Sequence, residues 1–300
     1  MVMVPLVLKQ FALCAKSRMK TVLVSYVWLS SVGLFVTFRG FPPSILFLKL
    51  FCAWIGMALG MYLWNDVCDF KQDAVSLELV DQSASVRPLV RGLVSKRRMG
   101  VFSALLVILG LTASALINVE VLMIQLVFLV VYIIYSTEPI RLKRIFLMKQ
   151  VTVAIGGAIS CLSAGLAAGI ISIQLLYLTG LYVLFIVGVN PLADIKDLES
   201  DRAGGVKTVP IVWGPGLTIR LALATFTAAA ATTWIGFYGL GFNIALPIIG
   251  TIVLIAWTYV MYPLLSHLSD LEYVVKITYS RGMPLFFILQ IAVLLGSIPI

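Results

Sequence analysis

Asp66, Asp69 and Asp73 stand at the spacing D-x-x-D-x-x-x-D, and Asp194, Asp197 and Asp201 repeat it 128 residues later. Steps of three and four residues place the carboxylates of each triplet on one face of a helix. Six like charges gathered in two places repel one another unless something positive stands among them. Hard divalent cations such as Mg²⁺ take carboxylate oxygens as ligands and share them with substrate phosphates. Each triplet begins where a long apolar stretch ends, so the expected chemistry is a metal–phosphate site at a membrane surface.

The elements that must position these residues are membrane spans. Hydrophobic residues make up 61 % of the 300-residue chain and charged residues only 12 %. Ordinary soluble domains carry about 25 % charged residues. Nine apolar segments, roughly 21–38, 44–64, 100–118, 119–136, 151–170, 173–193, 216–238, 244–266 and 283–299, are long enough to cross a bilayer. The third and fourth are divided at Asn118 and Glu120, because an undivided run would be nearly twice the length a bilayer requires. The fold class is therefore an all-α membrane protein. Nine transmembrane helices form a bundle, and two cytoplasmic acidic-motif loops cap a central cavity.

Residues 1–300 read as one membrane-embedded domain. The triplets follow the second and sixth spans, which suggests four-helix halves at 21–136 and 151–266 plus a ninth helix at 283–299. Parallel repeats of this kind place a shared site where the halves meet. At the N-terminus the basic cluster Lys16, Arg18, Lys20 follows the apolar run at 4–15 instead of preceding it, the wrong order for a cleaved signal. A short surface helix leading into the first span is expected there.

Charge placement excludes some classes and sets the topology. The net charge of +9 lies between apolar segments, with no solvent-sized domain to carry a nucleic-acid footprint. Cys14, Cys52, Cys68 and Cys161 are scattered, and His267 is the one histidine, so neither a thiolate nor an imidazole metal centre is expected. With the N-terminus inside, 20 of the 22 Lys and Arg residues fall on the inner side, leaving only Arg39 and Lys49. The positive-inside rule then places the N-terminus and both acidic motifs in the cytoplasm. Lys96, Arg97 and Arg98, with no acidic neighbours, read as contacts to anionic lipid headgroups of the bilayer.

Several motifs resemble the UbiA-type membrane prenyltransferase superfamily. Asn65, Asp66, Asp69 and Asp73 match its N-D-x-x-D-x-x-x-D motif. Asp197 and Asp201, with Asp194 ahead of them, match its second, D-x-x-x-D. Arg87-Pro88-Leu89-Val90-Arg91-Gly92 is similar to its R-P-x-x-x-G element, and Tyr135 to Arg144 to its tyrosine and basic stretch. A G-x-K-T-x-P-x-x-x-G pattern runs from Gly205 to Gly214.

The resemblance implies an Mg²⁺-dependent transferase for an isoprenyl diphosphate, whose tail lies in an apolar tunnel among the helices. Both motifs would supply the metal ligands, Asp66, Asp69, Asp73, Asp194, Asp197 and Asp201. Asp69, Asp73, Asp197 and Asp201 would be central to catalysis. Arg87, Arg91, Arg141 and Lys143, backed by Lys196 and Arg202, are candidates for the diphosphate, together with Asn65 of the first motif. Arginine suits the task because its planar fork matches phosphate oxygens. The positive-inside bias would place these basic residues here even without a catalytic task. Tyr135 could face the reacting carbon or the acceptor, although a membrane-interface tyrosine explains its position equally well. Arg18 is similar to a basic position that many family members have near the acceptor.

Three functions fit to different degrees. The favoured one is transfer of the isoprenyl group to a lipophilic or aromatic acceptor. A terpene cyclase on the same scaffold needs the same metal–diphosphate apparatus, and motifs do not separate the two. A transporter would place its acids near the bilayer midplane, whereas all six aspartates fall at segment ends.

Overall fold

The apolar run at 4–15 and the first expected span are one continuous helix in the computed structural model, which describes residues 3–79, 87–203 and 205–299. No break occurs at the basic cluster; the helix passes through one π-helical turn at Leu23–Val27 and ends at Phe38. The separate surface helix expected there is thus absent. A helix of this length rises about 50 Å, against about 30 Å of hydrocarbon in a bilayer. Part of it must project beyond the apolar layer, and its charged residues Lys9, Lys16, Arg18 and Lys20 suit that part.

Among the described residues nine helices are long and apolar enough to cross a membrane. They are α1 (Leu6–Phe38), α2 (Ser44–Lys71), α3 (Lys96–Ala115), α4 (Val119–Ser136) and α5 (Met148–Ala168), followed by α6 (Ile173–Asp197), α7 (Val209–Gly239), α8 (Ala245–Ser266) and α9 (Leu271–Ser297). The division between α3 and α4 has a local cause. The Asn118 side chain accepts from Val121 N at 2.8 Å and so caps the start of α4.

The acidic motifs sit on two different kinds of backbone. The helix of α2 continues past its apolar span to Leu79, so Asp66, Asp69 and Asp73 ride on successive α-helical turns. At the end of α6, Pro191 opens a 3₁₀ segment, Asn190–Asp197, followed by the short helix Leu198–Ala203. Residues three apart eclipse in a 3₁₀ helix, so Asp194 and Asp197 also share a face.

By contacts the chain divides into two units, Met1–Ser31 with Pro43–Leu142, and Val32–Pro42 with Lys143–Ile300. In the first, α2 and α3 approach backbone to backbone. A Cβ on Gly56 would stand 2.7 Å from Gly110 N, and Ser103 Oγ donates to the Gly60 carbonyl at 2.7 Å. Small residues allow membrane helices to come this close. In the second unit, Gly214 takes a φ of 80° and breaks α7 immediately before Pro215. Only glycine adopts that conformation without strain, which accounts for the final glycine of the G-x-K-T-x-P-x-x-x-G pattern.

Candidate functional site

In the first unit every aspartate of the motif meets an arginine. Arg18 Nε donates to Asp66 Oδ2 at 2.9 Å, and its Nη2 reaches the other carboxylate oxygen. One turn along α2, Arg141 Nη2 donates to Asp69 Oδ1 at 2.8 Å, while Asn65 Nδ2 donates to Asp69 Oδ2 at 2.9 Å. Arg87 pairs with Asp73 a further turn on. Asp66 and Asp69 are buried, and burying a charged group is costly unless it is paired and hydrogen-bonded. Arg141 also donates to Glu138 Oε1 at 3.1 Å, from a backbone at φ 42°. A positive φ at a non-glycine residue is uncommon and concentrates at functional loops.

Directly beneath this ladder lies an apolar cavity of about 90 Å³ within the same unit. Ala58, Met61, Tyr62 and Asn65 line it from one face of α2, at the i, i+3, i+4, i+7 spacing of a helical stripe. Phe128, Tyr132, Tyr135 and Ser136 line it from α4, and Tyr26 from α1. Asn65 joins the two environments, because its Oδ1 accepts from Ser136 Oγ at 3.0 Å while its amide holds Asp69. The Arg18 guanidinium stands 5.8 Å from the Tyr62 ring centre, within cation–π range. One end of the cavity is therefore charged and the rest is aromatic.

The second unit carries the other motif. Lys149 Nζ stands 2.7 Å from Asp194 Oδ1 and 3.7 Å from Asp201 Oδ2, bridging the two carboxylates. Gln150 Nε2 donates to Asp194 Oδ2 at 3.0 Å. Burial raises the Asp201 carboxyl to about 6; Asp194 and Asp197 add to that rise and Lys149 opposes it. Its Oδ2 is buried without a hydrogen bond. Asp197 is half-buried.

The donor set suits a hard cation. Among the described residues no three carboxylate, thiol or imidazole groups cluster closely enough to hold a metal; arginine or lysine stands against Asp66, Asp69, Asp73, Asp194 and Asp201. All six are nevertheless oxygen donors of the type Mg²⁺ prefers. Asp201 Oδ2 makes no short hydrogen bond and has Lys149 Nζ at 3.7 Å, so added positive charge would be favourable there.

The remaining candidates fall as follows. Tyr135 lines the cavity in the first unit. Arg91 is exposed, and Lys143 is buried in the 3₁₀ turn Leu142–Arg144. Lys196 holds its ammonium 5.2 Å from the Tyr279 ring centre, and Arg202 is exposed on the short helix. Sequence reasoning did not single out Lys149, Gln150, Tyr26, Tyr62, Phe128 or Tyr132. The span that carries Ala58 to Asn65 is apolar all round, so its spacing did not mark the face that lines the cavity, and nothing in the spacing pointed to Lys149.

Comparisons with known proteins agree with this layout. The model of the UbiA prenyltransferase family matches residues 26–272. The chain is similar to the digeranylgeranylglyceryl phosphate synthase of Methanoculleus marisnigri, at 28 % identity over 217 residues, 71 % of this chain and 73 % of that protein. It is also similar to the bacteriochlorophyll synthase 33 kDa chain of Cereibacter sphaeroides, at 36 % identity over 105 residues, 32 % of each chain. A solved digeranylgeranylglyceryl phosphate synthase structure superimposes with a TM-score of 0.74 at 22 % identity, covering 97 % of this chain and 99 % of that one. A UbiA homologue from Archaeoglobus fulgidus bound to DMAPP and Mg²⁺ gives a TM-score of 0.65 at 16 % identity, covering 91 % and 99 %. Since the family match spans both aspartate motifs, the cavity-lining stripes and seven of the nine apolar helices in full, the chain belongs to the UbiA prenyltransferase family.

Proposed function

We propose that the chain transfers an isoprenyl group from an isoprenyl diphosphate to a lipophilic or aromatic acceptor, with Mg²⁺, at the cytoplasmic face of a membrane. The observation that carries this reading is the Asn65 junction, where the carboxylate–guanidinium ladder of α2 gives way to an aromatic cavity. A diphosphate with a hydrocarbon tail has that same division of character. The distribution of basic residues supports the cytoplasmic placement of both motifs. Both motifs serve this one reaction, so residues 1–300 act as a single catalytic domain.

Asp66, Asp69, Asp73, Asp194, Asp197 and Asp201 would hold the metal. When bound, Mg²⁺ would supply positive charge against the diphosphate as it leaves. Arg18 and Arg141 are charged and largely buried, Arg87 is charged and part-exposed, and a guanidinium that exchanges its carboxylate for a diphosphate oxygen keeps its charge paired. Arg91, Lys143, Lys149, Lys196 and Arg202 add positive charge for the same purpose. The bond from C1 to the diphosphate oxygen breaks and its electron pair leaves with the diphosphate. A nucleophile of the acceptor then bonds to C1 and gives up a proton. Tyr62 and Tyr135, which line the cavity beside Asn65, meet the positive character at C1, and the apolar walls keep water from it.

The aromatic lining also suits a second reading, cyclisation, in which a double bond of the tail captures C1. Incubation of the purified chain with Mg²⁺ and geranyl, farnesyl or geranylgeranyl diphosphate separates the two. Turnover only when an acceptor is added supports transfer, a cyclic product without acceptor supports cyclisation, and inertness under both conditions sinks both.

A further inference from the structure

The cavity ends on an aromatic box. Trp54 lies one turn below Ala58 on the same face of α2 and is fully buried, as is Phe128 on α4. Their rings meet edge to face at 5.1 Å, and Tyr26 packs on both, 5.9 Å from Trp54 and 5.3 Å from Phe128. Phe128 stacks on Tyr132 at 4.2 Å, and the Tyr132 hydroxyl is hydrogen-bonded to that of Tyr26. The four rings pack directly on one another.

From Asn65 to Ala58 the wall of α2 descends about 10 Å, at 1.5 Å per residue. An isoprene unit contributes four chain bonds of about 1.5 Å, which project to about 5 Å when extended. We propose that the box formed by Tyr26, Trp54, Phe128 and Tyr132 is a chain-length stop. The cavity takes two isoprene units below the diphosphate, and Trp54 and Phe128 block a third. This rests on the prenyltransferase reading and adds to it the size of the donor. The chain selects a geranyl diphosphate over a geranylgeranyl one, and Phe128 sets that preference from the floor while Ala58 sets the free depth above it.

The test measures binding, so the acceptor need not be known. Dimethylallyl, geranyl and geranylgeranyl thiolodiphosphates, in which sulfur replaces the bridging oxygen at C1, are titrated with Mg²⁺ into the purified full chain. Dissociation constants are read from thermal stabilisation. In the wild type the geranyl compound binds tightest. Phe128→Ala opens the floor, so the preference for geranyl over geranylgeranyl falls by at least about tenfold. Ala58→Phe fills the space above the floor, so geranyl binding is lost while dimethylallyl binding remains. Should Phe128→Ala fail to fold, Ala58→Phe decides the matter alone. Equal binding of geranyl and geranylgeranyl compounds by the wild type, or a chain-length preference unchanged in the folded variants, overturns the stop and leaves the transferase reading standing. Failure of the wild type to bind any of the three overturns both.

Discussion

Arg141 and Asp69 are 72 residues apart in sequence, yet Nη2 of the one donates to Oδ1 of the other at 2.8 Å with both side chains buried. Asn65 occupies the second oxygen of the same carboxylate and ties it to α4 through Ser136. The first motif is thus a preorganised charge ladder, in which each aspartate is held in place before any ligand arrives. Holding a charged group in position in advance lowers the reorganisation that binding would otherwise require.

Arg141→Met should be strongly destabilising, because it leaves Asp69 as an uncompensated buried charge. Removal of one partner of a buried pair costs about 3–5 kcal/mol. Thermal unfolding in detergent would show a lowered midpoint, and added Mg²⁺ should recover part of the loss by replacing the missing positive charge. A midpoint unchanged from wild type would show the pair to be dispensable.

The two motifs should respond differently to loss of a carboxylate. On the proposed reading Asp69→Ala removes a metal ligand, and it also strands Arg141, so both turnover and folded yield should fall. Asp197 is half-buried, and Asp197→Ala should stay within about 1 kcal/mol of wild-type stability. Its turnover should nonetheless fall by at least about a hundredfold. Full activity in Asp197→Ala would remove the second motif from the reaction.

Lys149 stands against Asp194 and Asp201 at once. Lys149→Met should lower stability without metal, since the two carboxylates then repel each other with no shared counter-charge. The gain in unfolding midpoint on adding Mg²⁺ should be larger than in wild type, and Lys149→Arg should restore the original gain. An identical response to Mg²⁺ in wild type and Lys149→Met would contradict a link between this lysine and the metal.

Gly56→Leu tests packing without touching the chemistry. Its side chain would have to enter the space held by Gly110 N and the Leu106 carbonyl, 2.7 and 2.8 Å from a Cβ. Overpacking costs about 1–3 kcal/mol when side chains can yield; here the obstacle is backbone, so the loss should lie at the upper end. Reduced folded yield with normal substrate affinity in the surviving fraction is the expected result.

Much of the architecture was legible because hydrocarbon dictates it. Backbone groups in a bilayer must bond within their own segment, so long apolar runs had to be helices. The division at Asn118 could be placed by length and a capping residue. The break expected near Lys16, Arg18 and Lys20 did not occur. Charges end a membrane span but do not end a helix, because water and lipid headgroups solvate their side chains without disturbing the backbone bonds.

Local spacing, then, was enough to name the acidic residues, the basic stretches and the nine apolar helices, since each depends on neighbours along the chain. Which arginine meets which aspartate, the capture of Asp194 and Asp201 by Lys149, and the ring box beneath Asn65 were settled only by tertiary packing. Those pairings join residues tens of positions apart, and in helices apolar on every side no periodicity announces which face turns inward.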